Sequence, residues 1–268
     1  MRNEPLTGYI LHQKPYGESR SLIYFFSQEF GLVHGIGKKN LPLFMPISLF
    51  ATGKNSLKTF SQSQLLTHKP LLISQNFGKP MIIGLYLNEL LLKILGIANV
   101  EEVMPKVWQQ YEYSLVQIFR KVNTHQNQRW QFVLRQFETV LLDELGYAID
   151  FSQDFLQQPI NPQANYCYRL EQGFVSIVNK SQNIPNNQPL IFGKQLIDWQ
   201  EYLTKPNIFA ERLSQNLLEL SDLLRKIGVI YRQVLDNLLN YQTIKSRELW
   251  QQLSCYQKHI YQKQIDKK

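Results

Sequence analysis

The first part of the chain alternates short apolar runs with turn residues, a pattern typical of β-structure. Runs of this length that are rich in Tyr, Phe, Ile and Val and bounded by Pro or Gly predict strands rather than helices. The predicted strands are Tyr9–Gln13, Ser21–Ser27, Leu32–Ile36, Met45–Ala51 and Leu57–Thr67. Five strands within about 65 residues favour a small barrel of the OB type, because a β-sandwich needs about seven strands.

Helical periodicity replaces this pattern further along the chain. Lys79–Gly96 carries an unusually wide apolar stripe, which predicts a helix that is buried on most sides and stops at Gly96. The other predicted helices are Val100–Val122, Gln128–Leu145, Gly193–Leu203, Ile208–Ile227, Val229–Leu239 and Ser246–Leu253. Residues 150–190 are rich in Gln, Asn and Pro, and Tyr166–Arg169 with Gly173–Val178 predicts a short hairpin there.

These elements predict the fold class and the domain organisation. The class is α+β, with an N-terminal five-stranded OB-type barrel followed by a mainly α-helical domain that carries a small β-hairpin insert. We expect a nucleic-acid-binding barrel over residues 1–75 and a helical domain over 76–242, with the insert at about 150–190. Residues 243–268 are predicted to form a short helix and a basic tail.

Composition places the chain among globular proteins, because 44% of its residues are hydrophobic and 19% are charged. The longest apolar segment, Met81–Leu95, is interrupted by polar residues and is shorter than the ~20 residues of a membrane span. The N-terminus also lacks the apolar core of a signal peptide. Cys167 and Cys255 stand alone, so neither a disulfide framework nor a zinc site is expected. We therefore expect a cytoplasmic protein that does not contact a membrane and holds no metal.

The positive charge is concentrated at the two ends of the chain, whose formal net charge is +8. Residues 1–69 hold eight Lys or Arg and three acidic residues, and residues 243–268 hold six and two. The residues between them are nearly neutral. Segregated positive charge indicates a polyanionic partner, either nucleic acid or an anionic membrane. The alternative is a moderately basic surface that serves only solubility.

The sequence shows no catalytic constellation. Its one G-x-G, Gly35-Ile36-Gly37, lacks the third glycine and the following helix of a dinucleotide-binding fingerprint. The five histidines are scattered, and the adjacent acidic pairs point to different sides of their predicted helices, whereas acid–base catalysis needs groups that converge on one cleft. We therefore expect a protein that is not an enzyme and uses no cofactor.

The barrel strands combine basic and aromatic residues in a way that suits nucleic-acid binding. In the second strand, alternation places Arg20 and Tyr24 on one face and Ile23 on the other, so the first two could contact a phosphate and a base. Alternatively, Leu22 and Phe26 pack against the helical domain and Tyr24 covers that seam. The candidate DNA-binding residues are Lys14, Arg20, Tyr24, Lys38, Lys39, Lys54 and Lys58.

A second candidate site lies on the helix predicted over Gln128–Leu145. A cation beside an apolar stripe can hold a peptide whose end combines a hydrophobic residue with a carboxylate. The cation is Arg135, and the stripe includes Leu134, Leu141 and Leu145. The spacing also allows a simpler interpretation, in which Arg135 forms an ion pair with Glu138 three residues later.

Four segments, in order, resemble the bacterial RecO family of recombination mediators. They are GYILHQKPYGESRSLIYFFSQEFGLVHGIGKK (Gly8–Lys39), GLYLNELL (Gly84–Leu91), LRQFETVLLDELGY (Leu134–Tyr147) and KSRELWQQL (Lys245–Leu253). The resemblance implies an OB-fold domain and a helical domain, in a nucleoid-associated protein that binds single- and double-stranded DNA and anneals complementary strands. It also implies loading of the RecA recombinase, together with RecR, onto DNA coated by single-strand-binding protein (SSB).

The resemblance further implies that the acidic C-terminal tail of SSB docks beside Arg135. Two features depart from the family pattern. The basic loop after the third strand is short here, Lys38–Pro42, and the four-cysteine zinc site of some relatives is reduced to Cys167. Two other functions remain open from the residues themselves: a protein–protein adaptor whose OB domain binds nucleic acid only weakly, and an RNA-directed OB protein.

Overall fold

The structure, a computed structural model, describes residues 1–66, 78–98, 103–121, 124–177 and 188–265. The strands are β1 (Glu4–Tyr16), β2 (Arg20–Ser27), β3 (Gly31–Lys38), β4 (Ile47–Thr52), β5 (Leu57–Leu65), β6 (Asn165–Arg169), β7 (Gly173–Ile177) and β8 (Ile191–Phe192). The helices are α1 (Lys79–Ala98), α2 (Pro105–Phe119), α3 (Gln126–Glu144), α4 (Gly193–Thr204), α5 (Pro206–Gln215), α6 (Leu217–Leu238) and α7 (Lys245–Ile265). The predicted α+β class, with its N-terminal five-stranded barrel and its mainly helical remainder, is confirmed.

The chain forms two compact units. Unit 1 comprises Met1–Arg120 together with Gln242–Lys268, and unit 2 comprises Lys121–Tyr241. The sequence pattern placed its boundaries at other points, after residues 75 and 242. Contacts therefore group α1, α2 and α7 with the barrel.

The five N-terminal strands close into a barrel in the order β1-β2-β3-β5-β4. The β3–β5 pair is parallel and the other pairs are antiparallel, as the Greek-key connection of an OB fold requires. Alternation along each strand sends one set of side chains inward. The barrel core consists of Leu6, Ile10, Ile23, Phe25, Val33, Ile47, Leu49, Ala51 and Phe60.

The G-x-G of β3 has a packing role in this barrel. A Cβ added to Gly35 would lie 2.5 Å from the ring of Phe60, and one added to Gly37 would lie 2.9 Å from Ile23 Cδ1. Only glycine therefore lets the Phe60 ring fill the barrel interior against β3 at Gly35, which accounts for the motif without a nucleotide.

Helix α1 is joined to the barrel by a buried amide. The β1 strand has an irregularity between Ile10 and His12, which takes backbone groups out of the regular ladder. Asn88 on α1 donates from Nδ2 to the carbonyl oxygens of Ile10 (3.3 Å) and Leu11 (3.0 Å). The hydroxyl of Tyr111 on α2 donates to Asn88 Oδ1 at 2.6 Å. Asn88 thus connects β1, α1 and α2 in one network.

Helix α7 is capped by α1. Glu89 accepts hydrogen bonds from the backbone N–H groups of Lys245 and Ser246, both at 2.9 Å, and from the Ser246 hydroxyl at 2.8 Å. A carboxylate at these free N–H groups stabilises the start of a helix. The helix extends to Ile265, so the prediction of a short helix ending at Leu253 was wrong.

Unit 2 pairs helices with a small sheet. The predicted hairpin is present as β6 and β7, and β8 adds a third strand in the order β7-β6-β8. Aromatic rings fill its core: Phe132 stacks on Phe209 with ring centroids 3.9 Å apart, and Trp199 is completely buried.

Other predicted helix limits also need correction. The sequence placed a break near Gly228, but Gly228 lies inside α6 and the break falls at Asn216, whose φ of −140° and ψ of 68° are not helical. Helix α1 continues past Gly96 to Ala98, and α2 begins at Pro105 and ends at Phe119. Predicted element ends at Thr67, Val100, Val122 and Val178, and the last three tail residues, lie outside the described residues. Within the described chain, no helix is long and apolar enough to cross a membrane.

Candidate nucleic-acid interface

Three cross-strand rows of side chains lie on the outside of the barrel. Beyond the β1 irregularity, the even-numbered residues of β1 are register partners of even-numbered residues of β2, and those pair with even-numbered residues of β3. The core residues Ile23 and Phe25 are odd-numbered, so this even-numbered set faces outward. We call these nine residues the outer face. Its rows are Tyr16–Arg20–Lys38, Lys14–Leu22–Ile36 and His12–Tyr24–His34, each aligned by strand pairing.

The first row and Lys14 give the outer face its positive charge. Lys14, Arg20 and Lys38 are exposed, Tyr16 is 55% exposed, and none of the nine residues is acidic. Three cations on one side of a three-stranded sheet can contact neighbouring phosphates of one backbone. Arg20 and Lys38 are direct cross-strand partners, which places their charges side by side.

The third row is aromatic. The Tyr24 ring centroid lies 5.8 Å from that of His12 and 4.8 Å from that of His34, with interplanar angles of 40° and 68°. The ammonium of Lys14 lies 5.9 Å from the Tyr24 ring centroid, within the range of a cation–π contact. Tyr24 and His34 are half-buried and His12 is exposed.

The surroundings of His12 favour its neutral form. Although the side chain reaches solvent, partial desolvation by its neighbours and then the nearby charge of Lys14 lower the pKa of His12 below its usual value. Lys245 acts in the same direction, and Glu89 opposes the shift. Since an ordinary histidine titrates near pH ~6.5, the His12 ring is uncharged at neutral pH.

The structure brings together four of the seven predicted DNA-binding residues: Lys14, Arg20, Tyr24 and Lys38. The other three lie in or next to turns. Lys39 donates to the backbone carbonyl of Glu18 in the β1–β2 turn. Lys54 is exposed in the β4–β5 turn. Lys58 donates to the carbonyl of Asn55 and has the parity of the core residue Phe60, so it is not part of the outer face.

Sequence reasoning missed His12, Tyr16 and His34. The histidines were treated as scattered because they lie far apart in sequence. The detectable signal was parity, since His12, Lys14 and Tyr16 alternate along one strand as Arg20 and Tyr24 do along the next. Joining the strands into rows required their register.

The alternative interpretation of β2 holds for only part of that strand. Phe26 does pack on a helix: its ring lies 5.4 Å from Trp108 and 5.7 Å from Tyr111 of α2. Leu22 remains partly exposed, and Tyr24 contacts the two histidines. The seam with α2 therefore ends before Tyr24.

Arg135 in unit 2 has a different environment. Its guanidinium forms an ion pair with Glu138 at 2.6 Å, its side chain is 13% exposed, and that of Glu138 is fully buried. It also lies over the Tyr231 ring, 5.4 Å from the centroid, and against Gly228 of α6. The ion pair expected from the i, i+3 spacing is therefore present, in a buried setting rather than on the surface.

The leucines predicted to accompany Arg135 are not equivalent. Leu141 is completely buried, which leaves it no surface for a peptide. Leu134 on α3 and Leu145, which directly follows the last residue of that helix, are half-buried. Among the residues that the structure describes, no group of three or more His, Cys, Asp or Glu could hold a metal ion.

Comparison with known proteins identifies relatives of this chain. A family model described as "Recombination protein O C terminal" matches residues 79–237. The DNA repair protein RecO of Vibrio vulnificus is 30% identical over 218 residues, covering 76% of this chain and 82% of the relative. The DNA repair protein RecO of Alteromonas mediterranea is 29% identical over 264 residues, covering 93% of this chain and 98% of the relative.

Proposed function

This chain belongs to the RecO family, whose role lies in recombinational DNA repair, and from that premise we propose that it is a DNA-binding mediator without enzymatic activity. The protein binds single- and double-stranded DNA through the barrel and anneals complementary single strands. With RecR as a partner, it helps to load RecA onto DNA coated by SSB. The observation that carries the proposal is the outer face, which has no acidic residue and presents the exposed side chains of Lys14, Arg20 and Lys38.

The chemistry of this face suits both binding and annealing. Each ammonium or guanidinium that neutralises a phosphate releases condensed counterions, so affinity falls steeply as salt rises. Two strands that are to pair repel each other through their phosphates. A cationic surface that holds one strand lowers that repulsion and lets the second strand approach.

Contact with SSB would use unit 2. An acidic, hydrophobic peptide end fits a surface that combines an arginine with apolar side chains. Arg135, Leu134 and Leu145 offer such a surface on α3 and directly after it, while Leu141 supports it from within. Because Arg135 already binds Glu138, a docked carboxylate would share the guanidinium with that residue.

The DNA part is tested by removing two charges from the outer face. Arg20→Ala with Lys38→Ala should weaken single-strand binding several-fold and reduce the slope of log affinity against log salt by about 1.4, because each lost contact with a single strand removes about 0.7. The matched control is Lys205→Ala with Arg225→Ala, which removes the same charge from two exposed residues of unit 2. Equal losses in the two double variants would contradict a site on the outer face.

The proposed contact with SSB is tested in a variant from which Arg135 can be removed without depriving the buried Glu138 carboxylate of its ion pair. Glu138→Gln supplies that background, because a neutral amide replaces the carboxylate. Adding Arg135→Ala to Glu138→Gln should weaken binding of an acidic SSB-tail peptide, measured by fluorescence anisotropy, while DNA affinity stays the same. Loss of DNA affinity with unchanged peptide binding would refute the assignment. Annealing of SSB-coated complementary strands by the wild-type protein tests the mediator role as a whole.

A further inference from the structure

The outside of β1 and β2 is divided into a part covered by α2 and an open part, which belongs to the outer face. Tyr9 and Phe26, which are register partners, are buried against Trp108 and Tyr111 of α2. Farther along the same two strands, His12 is exposed and Tyr24 is half-buried. The aromatic residues of the covered part hold α2 in place, so their role is structural. Those of the open part contact one another, with the Tyr24 ring between His12 and His34.

The open row has aromatic residues on three strands and continues onto a fourth. His12 on β1, Tyr24 on β2 and His34 on β3 are consecutive register partners. His34 in turn pairs with Leu57 on β5, whose side chain is 44% exposed. The row is therefore a band of flat or apolar side chains on the surface of a closed barrel, next to the row that contains Lys14.

The spacing between the rows suits a nucleotide. Lys14 lies two residues from His12 along β1, a separation of about 6.6 Å at the usual rise of a strand. Lys38 lies four residues from His34 on β3. A phosphate held by Lys14 would thus place its base toward the aromatic row, whereas Lys38, at about 13 Å from His34 along the strand, would contact a phosphate farther along the same backbone.

We propose that His12, Tyr24 and His34 form a stacking platform for the unpaired bases of single-stranded DNA. The inference rests on the proposed function and refines it, because it separates the part of the outer face that binds phosphates from the part that binds bases. Every base has a π-face, so the platform has no sequence preference. In duplex DNA the bases are stacked on one another, so the platform selects single strands over double strands.

The experiment compares three labelled probes by fluorescence anisotropy: a mixed-sequence single strand, an abasic strand of the same length, and a duplex. Tyr24→Leu should weaken binding of the base-containing strand by about tenfold, within the range measured for loss of one stacking contact. Its affinity for the abasic strand and the duplex should change less than twofold. The slope with salt should also stay the same, because no phosphate contact is lost.

Two controls separate stacking from structure. Tyr24→Phe retains the ring and should bind all three probes as the wild type does. Tyr147→Leu removes a tyrosine that is 52% exposed in unit 2 and should have no effect. A fluorescent purine analogue placed in the single strand should be quenched on binding to the wild type and to Tyr24→Phe, and quenched less by Tyr24→Leu.

Specific outcomes would overturn the inference. Equal weakening of all three probes by Tyr24→Leu would mean that the ring only positions Lys14, and unchanged binding of all three would mean that no base contacts it. If the wild-type protein bound none of the probes, the proposed function would fail, and the stacking platform with it. Circular dichroism of Tyr24→Leu at the assay temperature verifies that the variant is folded.

Discussion

The two parts of the barrel's outer surface differ in what covers them, although both are built from the same strands. In the covered part, Tyr9 and Phe26 are 5% and 1% exposed, and two aromatic residues of α2 pack on them. In the open part, Arg20 and Lys14 are exposed and Tyr24 is half-buried. An aromatic residue on a strand therefore has a structural role or an available face depending on where the neighbouring helix ends.

The same contrast applies to the two arginines predicted to bind partners. Arg20 projects from β2 into solvent, and within the described residues it makes no ion pair with a carboxylate. Arg135 is held between the buried Glu138 and the Tyr231 ring. A solvated arginine loses little when it binds a phosphate, whereas Arg135 supports its own unit before it can contact a ligand.

The largest expected effect comes from the covered part. Phe26→Ala removes a ring from between the barrel and α2, and a buried Phe→Ala change typically costs about 3–5 kcal/mol of the free energy of unfolding. Urea denaturation measures it. Tyr24→Leu on the same strand should cost far less. Similar losses in the two variants would show that the open part is also structural.

Asn88→Ala should have the next largest effect. The amide serves the carbonyl groups of Ile10 and Leu11 and accepts from Tyr111, so the change leaves buried polar groups without partners. Each stranded group costs about 1–3 kcal/mol. Urea denaturation of Asn88→Ala and of Asn88→Asp measures the loss; Asp keeps the acceptor for Tyr111 but not the donor. An effect below about 0.5 kcal/mol, the range of ordinary surface changes, would contradict the network.

Local pattern was sufficient to predict the barrel. Short apolar runs separated by Gly and Pro gave five strands, and the alternation in β2 correctly placed Ile23 inward and Arg20 outward. Strand ends were less accurate: β1 extends from Glu4 to Tyr16, well beyond the predicted Tyr9–Gln13. The residues on either side of the apolar run also form strand pairs. Hydrophobic periodicity alone does not identify them as part of the strand.

Tertiary contacts account for what the sequence could not predict. Asn88 interrupts an apolar segment and, from its residue type, resembles a solvent-facing position, yet it is buried because the β1 irregularity exposes two carbonyl groups. The row of His12 with His34 depends on the register of three strands. Glu138 is charged but fully buried, and only the packing of α3 against α6 shows this.

Removing charge from the open part should leave stability almost unchanged. Arg20→Ala with Lys38→Ala deletes two neighbouring cations that the barrel core does not use, and exposed substitutions of this kind usually change the free energy of unfolding by less than about 0.5 kcal/mol. The urea midpoint compared with wild type tests this. A clear stabilisation would indicate that the two charges repel each other, as expected for like charges on directly paired residues. A marked loss of stability would show that the open part, like the covered part, supports the fold.

The smallest expected effect concerns pH. Burial and the charge of Lys14 lower the pKa of His12 in the folded state, so the unfolded chain binds the proton more readily. Stability should therefore be lost as the pH falls through the unfolded value of about 6.5 toward the lower folded value, and become constant below it. His12→Gln should remove this part of the decline, measured as the difference in Tm between pH 7.5 and pH 5. Lys14→Gln should reduce the decline without abolishing it, because burial remains. If His12→Gln left the pH dependence of Tm unchanged, the imidazole of His12 would be as solvated in the folded barrel as in the unfolded chain. Such a ring would not be held by its neighbours, which would argue against His12 as part of the stacking platform.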